Sequence, residues 1–310
     1  MSGVALRRCL PAASCAVAWA LACRWGWVPS SAFAQFLVLS LGATSLRLLA
    51  GTTGLFSFSH AIHAATGAYA VAWTMRVLSE GNANAYGASV ALAVMPLIAA
   101  IVAMVVAWPV GHLLKTRSGT AYAMLTFAIG ECIHLVALAA PTVFGGEAGV
   151  SMDRTLGTGA DFAWIVQCAW WLLAMIALAF IDKSAFAQGL RAVRDDALRA
   201  QTMGIDAPAL RRRVNVLAAG VAGLAGALSV IEFEIVTPEA YAISHSSIWL
   251  IAMLLGGMHR FVGPVVGASL VLLCSTVVAQ WTSAWPLVLG AVFVAGVLFR
   301  PQGVIAPSRA

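Results

Sequence analysis

The sequence predicts an all-α fold, a polytopic bundle of about eight to ten membrane-crossing helices, and three observations carry that prediction. Hydrophobic residues fill 61% of the 310 positions and charged residues only 10%, whereas soluble domains carry roughly 25% charge. The mean hydropathy is +0.91. Apolar runs near the ~20 residues that cross a ~30 Å hydrocarbon core recur from one end of the chain to the other. Only short polar turns separate them, so residues 1–310 read as one integral-membrane domain.

Ten segments follow in order, at about 10–27, 32–50, 55–75, 87–110, 119–140, 161–181, 214–231, 244–257, 263–281 and 285–299. The first follows Arg7 and Arg8. Residues 1–34 also have the arrangement of a secretory signal, with Ala32-Phe33-Ala34 as a cleavage site; an uncleaved first span is the expectation. The second carries Arg47 near its inner end, where a long side chain can snorkel. The third is small and polar, with Gly51, Gly54, Gly67, Ser57, Ser59, His60 and His63. Such a span can break and expose backbone along a path, or pack tightly through its small residues, with His60 as a satisfied interhelical histidine. The fifth carries Glu131. The seventh has small residues every four positions, Ala218-Ala222-Gly226 and Ala219-Gly223-Ala227, which mark tight packing. The eighth is the shortest and ends at Gly256-Gly257, so it either re-enters or pairs steeply with the ninth.

Charge sets the orientation. With the amino terminus inside, the inner loops collect Lys115, Arg117, the basic set between 183 and 213, Arg260, Arg300 and Arg309, while the outer loops keep Arg24, Arg76 and Arg154. That asymmetry follows the positive-inside rule and places both termini in the cytoplasm. Glu80, Glu147, Asp153, Asp161, Glu232, Glu234 and Glu239 fall outside. The net charge of +6 is spread by loop rather than gathered on one face, so nucleic acid is not an expected partner. The six cysteines have neither zinc-site spacing nor disulfide-scaffold density.

One long charged interruption, about 182–213, breaks the apolar pattern. From Leu190, the positions Val193, Ala197, Ala200 and Gly204 form an apolar stripe on a short amphipathic helix running to about 206. Arg191 with Asp195, and Asp195 with Arg199, are spaced as exposed four-residue ion pairs. Gly204 ends this helix and Pro208 restarts the chain. The segment fits either a socket on another protein or an anionic membrane surface.

The stretch RAVRDDALRAQTMGID, 191–206, resembles the cytoplasmic coupling loop of LivM-type permease subunits of branched-chain amino-acid ABC transporters. Further pieces stand in that family's order: GTTGLFSFSHAIHAATGAYA at 51–70, LLKTRSGTAYAMLTFAIGECIHLV at 113–136, GGEAGV at 145–150, LLGGMHRFVGPVVGA at 254–268 and FRPQGV at 299–304. The chain departs from it in two places. Ala197-Leu198-Arg199-Ala200 stands where glutamate and alanines are usual, and Leu55 where glutamine is common. The resemblance implies a bacterial inner-membrane permease pairing with a second permease as a heterodimer, two cytoplasmic ATPase subunits and a periplasmic solute-binding protein. It also implies that Arg191, Arg194, Asp195, Ala200, Gly204 and Asp206 form the ATPase-coupling loop. The solutes of such systems are branched-chain amino acids, urea, amides or aromatic acids.

Glu131 and Arg47 are the embedded charges, and an ionisable group at that depth must face a partner or a wet cavity. Ser57, His60, Gly67, Thr126, Gly130 and Glu131 are the candidates for a translocation path; a structural hydrogen bond between helices is the other reading of Glu131. No phosphate loop, metalloprotease motif or nucleophile elbow occurs, so no catalytic residue, cofactor or metal site is expected, and ATP hydrolysis falls to partner subunits. The rival is an ion-coupled secondary transporter that uses Glu131 as its intramembrane ionisable site.

Overall fold

The computed structural model describes residues 2–25, 29–80, 85–152, 160–282, 284–300 and 302–305. Asp153, Arg154 and Arg309, and the side chains of Arg7, Arg8, Cys9 and Arg24, lie outside the described set. In chain order the helices are α1 (Ser2–Arg24), α2 (Ser30–Thr53), α3 (Ala61–Glu80), α4 (Ala85–Leu114), α5 (Gly119–Ala139) and α6 (Pro141–Phe144). They continue with α7 (Ala160–Lys183), α8 (Ala185–Asp195), α9 (Ala197–Thr202), α10 (Ala207–Phe233), α11 (Ile243–Gly256), α12 (Gly263–Leu273) and α13 (Trp285–Phe299). Two short strands, β1 (Val150–Ser151) and β2 (Ile235–Val236), pair antiparallel and clip the loop after α6 to the end of α10.

Among the described residues five helices, in α2, α4, α5, α7 and α10, are long and apolar enough to cross a membrane. The chain is therefore a polytopic helical membrane protein. At its centre α10 packs against α2, α3 and α4. The small-residue stripes explain how closely. A Cβ on Gly67 of α3 would lie 2.3 Å from the Gly223 carbonyl oxygen, and one on Gly226 would lie 1.9 Å from that of Ala64. Without side chains at these points the helix backbones touch, and dispersion attraction between them stands in for a hydrophobic drive that lipid does not supply.

The shortest predicted span packs against the ninth. α11 has 14 residues, about 21 Å at 1.5 Å per residue. Gly256, Gly263 and Gly267 let it lie directly on α12. Its far end continues to Met258, whose carbonyl would meet a Cβ on Gly51 at 2.8 Å, so α11 runs beside α2 to the same face. The segment after α13 closes on that end too, through Val304 N–H donating to Leu255 O at 2.9 Å. α1 is built into the bundle: Trp19 stacks on Phe36 at 5.7 Å and donates its indole N–H to Ser269 Oγ at 3.2 Å. Ala32-Phe33-Ala34 is buried in the first turns of α2.

Two expected elements differ. The third span is not continuous over 55–75: α2 ends at Gly54, in the left-handed region at φ +72°, and residues 54–60 run without helix before α3 begins. The expected helix over 190–206 is two helices, because Asp196 adopts extended backbone and its carboxylate accepts the Leu198 and Arg199 N–H groups at 3.1 and 3.0 Å. A capping residue inside the amphipathic pattern ended one helix and began another.

Candidate functional site

The charged interruption folds into an elbow whose every turn is locally capped. Ser184 accepts from Ala187 N–H at the start of α8, Asp196 caps α9, and Asp206 accepts from Ala209 N–H at 3.0 Å at the start of α10. Gly204 stands at φ +83°, a conformation that costs other residues roughly 1–2 kcal/mol. Val193, Ala200 and Ala207 are buried together, with Ala197, Ile205 and Leu210 around them. Gly204 is exposed, outside that cluster.

Arg191 and Arg194 of the elbow turn inward, so the expected four-residue ion pairs do not organise it. Arg191 Nη2 donates to Asp182 Oδ1 at 2.7 Å and to the Asp182 carbonyl at 3.0 Å. The same carboxylate oxygen accepts from Arg47 Nη2 at 3.1 Å, and the Arg47 and Asp182 side chains are 5% and 1% exposed. Arg47 therefore does not snorkel to water. It is buried in an ion pair at the end of α2 and covered by the Phe261 ring, 5.6 Å away. Arg194 donates to the Gly51 carbonyl at 2.8 Å and pairs with exposed Asp195, while Arg199 pairs with Asp196. Two arginines of α8 thus grip the last turns of α2.

Above this grip lies the unwound stretch. Backbone without helix survives at membrane depth only when protein or a cavity supplies its hydrogen bonds. Here Thr126 Oγ1 accepts from Phe58 N–H at 3.3 Å, and Ser246 Oγ accepts from Ala61 N–H at 2.9 Å. His60 is fully buried with its Nε2 2.9 Å from Ser45 Oγ, and its ring meets Trp249 at 6.2 Å and His63 at 5.8 Å. Ser45 lies about 12 Å along α2 from Thr53.

A cavity of about 490 Å³ opens on the face opposite the elbow. Ala61, Ala64, Ala65 and Ala68 of α3 form one wall, Trp249 and Ile248 of α11 another, and Gln35, Glu239 and His245 bring polar groups. Trp249, in that lining, meets the His60 ring at 6.2 Å, and Ala61, the residue after His60, also lines the cavity.

The sequence-derived path candidates fall around this centre rather than in the cavity lining. Ser57 and His60 are buried in the unwound stretch, Thr126 supports it, and Gly130 packs on Ser59, whose Cβ would be 2.7 Å from a Cβ there. Gly67 is spent on the α3–α10 contact. Glu131 is half-buried on α5 and does not reach the cavity. Among the described residues no group of three His, Cys, Asp or Glu side chains could hold a metal ion.

Sequence reasoning passed over Asp182, Ser45 and Trp249, whose importance lies in long-range contacts. Leu198, noted from the sequence only as a departure from the family pattern, and Met203 are exposed by 74% and 77% on and just after α9. Their signal was available: both are large apolar residues off the stripe, pointing away from the bundle.

The family model described as "Branched-chain amino acid transport system / permease component" matches residues 28–298. The chain is similar to the high-affinity branched-chain amino acid transport system permease protein LivM of Escherichia coli (strain K12), at 24% identity over 95% of this chain and 73% of that protein. It is similar to the LivM protein of Salmonella typhimurium (strain LT2) at 23% identity over the same shares. No solved structure matches.

Proposed function

The chain belongs to the family of branched-chain amino acid transport system permease components, and on that premise we propose that it is the permease subunit of an ABC importer for a branched-chain amino acid or a related small solute such as urea, an amide or an aromatic acid. It would work beside a second permease subunit, two cytoplasmic ATPase subunits and a periplasmic solute-binding protein. The elbow and both termini are taken as cytoplasmic and the cavity mouth as periplasmic, which agrees with the basic residues on the inner loops.

One observation carries the proposal: an unbroken chain of contacts joins the elbow to the cavity floor. Arg191 and Arg194 hold the end of α2 through Asp182, Arg47 and Gly51; Ser45 on α2 holds His60; His60 lies against Trp249, which lines the cavity. Leu198 and Met203, flanked by Arg199 and Asp195, form an apolar tip suited to a socket on the ATPase subunit. Movement of that tip would pull α2 and shift the contact that closes the cavity, a hinge-and-shear step of alternating access. The alanine wall and Trp249 suit an apolar side chain, and the polar groups of Gln35, Glu239 and His245 suit an amino acid's charged end.

The test is uptake into proteoliposomes holding the complex, with labelled leucine in competition with urea, isoleucine and phenylalanine, with and without the ATPase subunits. Accumulation that depends on ATP and on those subunits is the expected result. Accumulation driven by an ion gradient in their absence would favour the secondary-transporter mechanism instead.

A further inference from the structure

With the permease function proposed above as its basis, we propose that the outer flank of α5 around Glu131 is the surface that meets the second permease subunit, and that this subunit brings a hydrogen-bond donor or a cation to the Glu131 carboxylate. α5 is the least covered of the five long spans. Within its most apolar stretch 22% is buried, against 83% in α2 and 78% in α10. Its inner face, Tyr122, Thr126, Gly130 and Ala137, rests on Asn215, the unwound stretch and Ser59. At 100° per residue Glu131 lies off that face, on a flank shared with Met124, Phe127, Leu135 and Leu138, all exposed.

Glu131 is about 18 Å along the helix from Gly119 and about 12 Å from Ala139, too deep for its short side chain to reach either surface. No described residue gives it a hydrogen bond or ion pair. The ionisable neighbour on the same helix, His134, turns instead toward Glu239, 3.9 Å away. A carboxylate in this position does not face lipid without a substantial cost, so another polypeptide covers it. A second copy of this chain fits poorly. α5 carries no Lys or Arg, and a two-fold contact centred on this flank would set one Glu131 against another. The partner is therefore a different chain with a complementary group, and the interhelical hydrogen bond expected of this glutamate forms between subunits rather than within one.

The test places a photo-crosslinking amino acid at Phe127 or Leu135 in the full chain, co-expressed with the tagged second permease subunit of the same transport system and its ATPase subunits. Adducts to the second permease are expected from both positions. Glu131→Leu should weaken recovery of that subunit by about tenfold or more, as when one partner of a buried charged pair is truncated, while the isolated chain loses no stability. Glu131→Gln, which keeps hydrogen-bonding groups, should largely retain it. Adducts between two copies of this chain would overturn the assignment. So would adducts to lipid alone from an intact complex, with Glu131→Leu stabilising the isolated chain and leaving assembly unchanged. If the wild-type chain recovers no second permease at all, the permease function proposed above fails with it.

Discussion

Replacing Asp182 by alanine removes the carboxylate that holds two arginines at the root of the elbow. Arg47 would stay behind with its guanidinium nearly inaccessible, since its side chain is 5% exposed and Asp182 lies 3.1 Å from it. Losing one member of such a buried pair costs about 3–5 kcal/mol, because the carboxylate that faced the guanidinium is gone. The reverse deletion is milder. Arg47→Met leaves Asp182 bonded to Arg191 at 2.7 Å, so its cost should be that of a hydrogen bond between charged groups, about 1.5–3 kcal/mol. Arg191 is 39% exposed and keeps its bond to the Asp182 carbonyl in either variant. The double replacement Arg47→Met with Asp182→Leu removes both buried charges at similar volume and should return close to wild type. Reversible unfolding of the purified chain in mixed detergent micelles measures all three. A cost below about 1 kcal/mol for Asp182→Ala, or a larger cost for Arg47→Met than for Asp182→Ala, would refute the claim that this carboxylate ties the elbow to α2.

Gly204→Val forces a β-branched residue into φ +83°, at roughly 1–2 kcal/mol; membrane insertion should be normal while ATP hydrolysis continues with uptake reduced, measured in the same proteoliposomes. Leu198→Ser with Met203→Ser changes two exposed residues, so stability should move by no more than about 0.5 kcal/mol each, yet co-purification of the ATPase subunits should be lost. Ala64→Leu fills the cavity wall; leucine uptake should fall sharply with ATPase association unchanged, and undiminished uptake would remove this cavity from the route.

Much of the architecture was legible because it follows from local properties. Nine of the ten apolar segments correspond closely to helices, and the stripes around Ala222 and Gly223 announced tight packing of α10, though not that α3 would be the partner. The expectation for the third span offered a break or tight packing, and both occur in different parts of it: residues 54–60 unwind while Gly67 packs on Gly223. The helix over 190–206 was overextended because the amphipathic stripe continues through Asp196, and periodicity does not register a residue that leaves helical backbone to cap the next turn. Arg47 was misplaced for a different reason. Snorkelling is the default for an isolated arginine near a span end, and nothing near it in the chain reveals a carboxylate 135 residues away.

Hydropathy and charge were therefore enough to establish a helical membrane protein with one polar elbow, since span length and loop charge are properties of contiguous residues. Which groups meet was a matter for the folded chain. The Arg47–Asp182–Arg191 cluster, the support of the unwound stretch by Thr126 and Ser246, and the outward placement of Glu131 all arise when distant helices pack, where polar groups taken out of water must find partners supplied by other parts of the chain or of the complex.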